Sequence, residues 1–156
     1  MVAQQLGRTP RAFHRVAVRC PFGRPAVTEQ APVDDAGDPF PTTYYLTCRH
    51  LVAAISRIEA AGGVERWSEA ARKEAQLAAS LEQAGAEQRR VRRELAAGWK
   101  HPSLDSGIGG ASRDGSLKCL HAHAAFALAR PGYDLGNRIV AELEPLWPER
   151  CCSEGG

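Results

Sequence analysis

Three cysteines sit where a folded chain fixes the backbone and exposes a side chain, and two histidines follow the last of them. Cys20 opens the turn CPFGRP, Cys48 ends the segment TTYYLTC, and Cys119 stands in KCLHAHAA ahead of His121 and His123. Thiolates and imidazoles are the ligands of tetrahedral zinc, and three thiolates also suit an iron–sulfur cluster. On a helix turning about 100° per residue, Cys119 and His123 at i and i+4 share a face while His121 points away. Were the helix to start later, His121 would be the nearer partner. The residues therefore predict a Cys3His site of Cys20, Cys48, Cys119 and His123, with His121 as the alternative ligand, holding zinc or a 4Fe-4S cluster. The spacing lacks a Cys-x2-Cys run and does not separate the two metals. A catalytic form would keep three protein ligands and an open position for a small-molecule substrate. Two readings compete: cysteines as small buried hydrophobes, and Cys119 as a nucleophilic thiol.

Other patterns say less. Gly107, Gly109 and Gly110 in SGIGG could bring backbone amides to an anion at a helix N-terminus, with Lys118 as counter-charge. The pattern has neither Walker A nor GxGxxG spacing, so a loop packed beside the cysteine site is the favoured reading. Arg89, Arg90, Arg92 and Arg93 are interleaved with Glu82, Glu87 and Glu94, which reads as a solvated helix and argues against nucleic acid. Cys151 and Cys152 are adjacent and close to the end of the sequence, where thiols are more often reactive bystanders than ligands.

The elements that must position these groups follow from pattern. Phe13 to Arg19 and Thr42 to Thr47 read as short strands, separated by a rigid Pro-Gly turn and the loop-like APVDDAGDPFP. After Cys48, Leu51, Val52, Ile55, Ile58 and Glu59 fall at helical spacing up to the stop at Gly62-Gly63. Trp67 to Trp99 reads as one long helix with a seam of Leu77, Leu81, Ala84, Gln88, Val91 and Leu95. Two more helices are expected, from about Leu117 to Arg130 and from Leu135 to Leu146 with Asp134 as N-cap. The expected fold is an α-rich α+β domain over 13–148, about four helices on a two-stranded β element, with flexible termini at 1–12 and 149–156.

Composition bounds the function classes. The 156 residues carry 20 Lys plus Arg against 18 Asp plus Glu, too small an excess to imply a polyanionic partner. Arg8, Arg11 and Arg15 enclose no apolar run, so no secretory signal is expected. The longest stretch free of charge and strong turn residues, Cys119 to Ala129, is eleven residues, short of the roughly 18 that span a bilayer. A cytoplasmic protein that engages no membrane is expected. In that compartment five cysteines suggest metal or thiol chemistry more than disulfides.

CPFGRPAV, PTTYYLTC and GIGG followed by KCLHAHAA, in that order, resemble a bacterial domain-of-unknown-function family, the one numbered five hundred and one. The resemblance covers most of residues 15–145. The family's motif positions fall on Cys20, Pro21, Gly23, Pro25, Thr43, Tyr45, Cys48, Gly109, Gly110, Lys118, Cys119, His121 and His123. The chain departs at RPGYDLGN, where an Asn-Pro turn is expected. The resemblance implies a small cytoplasmic bacterial protein whose family genes often lie near those of a septum-formation initiator and an exopolyphosphatase-type phosphatase. An alternative function follows from that setting: a non-enzymatic helical protein of cell division or polyphosphate physiology, binding a protein partner or a second copy of itself through the 67–99 helix.

Overall fold

β-branched and aromatic residues cluster before residue 48 and helix formers after it, and the chain divides in the same way. The computed structural model describes residues 1–111 and 115–152. The elements are α1 (Val2–Leu6), β1 (Phe13–Arg19), β2 (Pro25–Gln30), β3 (Tyr44–Leu46), α2 (Arg49–Ala60), α3 (Gly63–Lys73), α4 (Ala75–Ala96), two 3₁₀ turns (Pro102–Asp105 and Ile108–Gly110), α5 (Leu120–Ala129) and α6 (Asp134–Ala141). The α-rich α+β class holds, with two corrections. Among the described residues the sheet has three antiparallel strands in the order β1-β2-β3 rather than two, and there are six helices rather than four.

The missed strand is the central one. Thr28, Glu29 and Gln30 are polar, which hides the pattern of a buried strand, yet all six residues of β2 are buried. Burial of these groups requires partners. Arg15 of β1 donates to both carboxylate oxygens of Glu29 at 2.9 Å, and the Tyr44 hydroxyl of β3 donates to Oε2 at 2.9 Å. Gln30 Nε2 donates to Thr28 Oγ1 at 2.7 Å. Pro25 stands at the first position of the strand, where its missing N–H is tolerated.

α5 is apolar on every side, with Leu120, Ala124, Ala125, Phe126 and Ala127 buried, and such a helix belongs in an interior. It packs on β3 and against α2, α6 and the Ile108–Gly110 turn. Phe126 meets Tyr44 and Tyr133 edge-on, at centroid distances of 5.5 and 5.7 Å. α6 comes close at Gly136, where a Cβ would stand 2.7 Å from Ala127 Cβ and 2.5 Å from Tyr133 Cδ2. Gly136→Ala is therefore expected to cost about 1–3 kcal/mol by overpacking, although Ala is the better helix former. A urea melt of the variant against wild type measures it.

The single helix expected over 67–99 is two helices. Glu74 is extended (φ −101°, ψ 111°) and separates α3 from α4 without a Pro or Gly. Leu77, Ala84, Gln88 and Val91 of the seam are buried in the chain's own core. The arginine run is not wholly solvated either: Arg92 is 0% exposed and its Nη1 donates to the carbonyls of Phe40 and Pro41 at 3.0 and 3.1 Å. α6 ends at Ala141, earlier than expected, and starts from Tyr133 as N-cap with Asp134 as its first residue.

Residues 1–12, expected as a loose terminus, make specific contacts. Val2 is buried, Gln5 Nε2 donates to the Pro25 carbonyl at 2.9 Å, and Arg11 pairs with Asp34. At the other end Cys151 is buried, while residues 153–156 of the expected tail lie outside the described residues. Among the described residues no helix is long and apolar enough to cross a membrane.

Candidate functional site

Cys119 is extended (φ −149°, ψ 118°) and caps α5, so the helix begins one residue after it. The i, i+4 relation to His123 therefore does not apply, and His121 becomes the neighbour: its Nδ1 lies 3.8 Å from Cys119 Sγ. Glu59, in the last turn of α2, completes the group. Its Oε1 is 3.1 Å from His121 Nδ1 and accepts the Leu120 N–H at 2.8 Å. Among the described residues, Glu59, Cys119 and His121 are the group of three whose ligand atoms all lie within 4.8 Å of one another.

The protons of this group are constrained. His121 Nε2 faces Val52 O at 3.3 Å and Ser56 Oγ at 3.2 Å. The Val52 carbonyl can only accept and so favours a proton on Nε2, whereas the Ser56 hydroxyl serves either tautomer. With the proton on Nε2, Nδ1 stands 3.1 Å from a carboxylate oxygen, and two acceptors at that distance need a positive centre between or beside them. A proton on Nδ1 makes an imidazolium; a metal ion is the other solution. The electrostatics run the same way: hydrogen bonding to His121 lowers the Cys119 thiol, while Cys119 first and then the charge of Glu59 raise His121. The Glu59 and His121 side chains keep 27% exposure each, so solvent reaches the group.

The remaining sequence candidates lie elsewhere. Cys20 is buried in the β1–β2 turn, its N–H on the Arg24 carbonyl at 2.9 Å. Cys48 caps α2, with its Sγ 3.6 Å from Cys152 Sγ. His123 is 0% exposed, and its Nδ1 is 2.7 Å from the Tyr133 hydroxyl. The structure thus joins Cys119 and His121 but does not bring Cys20, Cys48 or His123 to them. Gly109 has φ +57°, and a Cβ there would meet Ala122 Cβ at 3.0 Å and Cys119 O at 3.3 Å. Its turn packs onto the start of α5, and Gly110 ends that turn. Lys118 is exposed beside it. The anion at this helix N-terminus is the chain's own Glu59 carboxylate.

A family model described as "Protein of unknown function (DUF501)" matches residues 16–142, most of the chain. The chain belongs to this family. The DUF501 match includes Glu59, Cys119 and His121 together with Cys20, Cys48 and His123, whereas Cys151 and Cys152 lie beyond it. No curated protein and no solved structure matches the chain. Helical spacing places Glu59 on α2 but does not mark it as a ligand, and it is not among the DUF501 motif positions. It lies about sixty positions before Cys119 in sequence, and one Glu near the end of an amphipathic helix carries no signal of its own.

Proposed function

We propose that this protein binds a divalent metal, zinc in the first place, through Glu59 Oε1, Cys119 Sγ and His121 Nδ1. The observation that carries the reading is the convergence of Glu59, Cys119 and His121, with His121 Nδ1 3.1 Å from Glu59 Oε1 and Nε2 3.3 Å from the Val52 carbonyl. Tetrahedral zinc with bonds of about 2.0–2.3 Å sets neighbouring ligand atoms about 3.3–3.7 Å apart. The N–O distance of 3.1 Å and the S–N distance of 3.8 Å straddle that range. Ligating histidines characteristically donate their other ring N–H to a carbonyl or carboxylate, the role Val52 O fills. One sulfur, one nitrogen and one oxygen favour zinc over a 4Fe-4S cluster, which takes thiolates. Three protein ligands with an open fourth position match the catalytic form of zinc site, in which the metal acidifies water or polarises a carbonyl or phosphoryl oxygen.

The reading is tested by zinc titration of protein purified without a metal-chelating tag, against a competing chromogenic chelator. Wild type is expected to take up about one zinc per chain. Cys119→Ser and Glu59→Gln should each weaken binding by more than the roughly 100-fold that loss of an outer hydrogen-bond partner costs. Cys20→Ser and Cys48→Ser should leave it unchanged. Wild-type affinity in Cys119→Ser would end the proposal.

A second reading draws on the lowered Cys119 thiol. A proton in place of the metal makes His121 an imidazolium and Cys119 a thiolate, the start of a nucleophilic site. It predicts selective alkylation of Cys119 in metal-free protein, with an apparent pKa below the ordinary thiol value of about 8.5. The helical interaction reading draws less support, because the α4 seam is occupied by the chain's own core.

A further inference from the structure

Cys48 and Cys152 are more than a hundred residues apart in sequence, yet their sulfurs are 3.6 Å apart. Cys48 stands at the N-terminus of the twelve-residue helix α2 without a side-chain cap hydrogen bond, and the backbone N–H groups of Leu51 and His50 favour its thiolate. Cys152 is partly exposed and lines a surface cavity of about 240 Å³ together with Met1, Gln4, Gln5, Arg24 and Arg49. Neither arginine side chain has an ion-pair partner among the described residues. A dithiol therefore opens on a cavity that, among the described residues lining it, carries two guanidinium groups and no carboxylate.

We propose that Cys48 and Cys152 form a redox-active dithiol that exchanges with a small, carboxylate-bearing disulfide held by Arg24 and Arg49. Cys152, on the cavity wall, attacks as thiolate on one sulfur of the small disulfide RSSR. The RS–SR bond breaks, a mixed disulfide forms at Cys152, and RS⁻ leaves to take up a proton. Cys48 then loses its proton to solvent and attacks Cys152 Sγ, closing the Cys48–Cys152 bond and expelling the second RS⁻. Two protein thiols are oxidised by two electrons and RSSR is reduced to two RSH. The order follows from access: Cys48 is buried, and burial pushes its thiol up to about 11, which suits a resolving group that acts only once the mixed disulfide is beside it. The helix N-terminus favours the developing Cys48 thiolate. This site is separate from Glu59, Cys119 and His121, and the metal reading can fail without affecting it.

The test is thiol counting and peptide mapping of full-length, chelator-treated protein exposed to oxidised glutathione or to uncharged hydroxyethyl disulfide. Wild type is expected to lose two thiols per chain to an internal Cys48–Cys152 bond. Cys48→Ser should instead stop at a glutathione mixed disulfide on Cys152, and Cys152→Ser should form neither product. The Arg24→Gln/Arg49→Gln double variant should react about tenfold more slowly with glutathione disulfide and at the wild-type rate with the uncharged one. A cross-link that persists in Cys152→Ser, no internal bond in wild type, or equal slowing with both disulfides would overturn the proposal.

Discussion

On acidification from pH 7 to pH 4 the wild-type protein is expected to lose roughly 3 kcal/mol more stability than a His123→Gln variant. His123 is enclosed by α5, α6 and the Ile108–Gly110 turn, with Tyr133 on Nδ1 and, among the described residues, no partner for Nε2. Burial lowers its pKa from 6.5 to about 4. The unfolded chain takes up a proton on this ring below about pH 6.5, but the folded chain does so only near pH 4. Between those values the unfolded state binds more protons, so stability falls as pH falls, and below the folded value this ring contributes no further loss. A displacement of that size corresponds to roughly 3 kcal/mol. Gln keeps an acceptor for the Tyr133 hydroxyl and removes the titration. Urea melts at a series of pH values, with chelator present to keep the Cys119 group metal-free, give the two curves. Parallel curves would mean that the ring admits its proton without opening the core.

The second large effect is at Arg92. Its side chain is 0% exposed, and among the described residues Nε and Nη2 have no hydrogen-bond partner; Nη1 alone holds the Phe40 and Pro41 carbonyls. Burial lowers its pKa, which marks a cation whose lost hydration is incompletely replaced. Arg92→Ala empties the space and frees the loop before β3, at an expected cost of about 3–5 kcal/mol. Arg92→Met fills most of that volume and removes the desolvated charge, so it should fall within about 1 kcal/mol of wild type. If the two variants were equally unstable in urea, the two carbonyl hydrogen bonds would be the dominant contribution.

What the sequence disclosed depends on how local each determinant is. β1 was legible to the residue because Phe13, Val16 and Val18 sit among polar neighbours, and α2 because Leu51 and Ile55 repeat at helical spacing before Gly62-Gly63. β2 was not, because Thr28, Glu29 and Gln30 become buriable only once Arg15 and Tyr44 supply partners from other strands. The α3–α4 break at Glu74 carries no breaker residue, so the helical pattern ran through it. At the site, helical spacing paired Cys119 with His123 and left His121 as the alternative, and the choice between them turned on a helix start that Cys, a poor cap signal, does not announce. Glu59 and Cys152 meet their partners across 62 and 104 residues of mostly helical chain, and no spacing rule reads that distance.

The order in which these parts leave the ribosome matters for the cell. The sheet is finished at Leu46, but α5, the helix that covers it, starts at Leu120. At roughly 5–20 residues per second, translation of the intervening segment takes on the order of 4–15 s. For that interval a nascent chain carries Val27, Tyr44 and Leu46 without their final cover, beside an edge strand able to pair with another chain. The same placement that puts Cys119 at the start of an enclosed helix thus leaves the half-synthesised sheet without its apolar cover until that helix emerges.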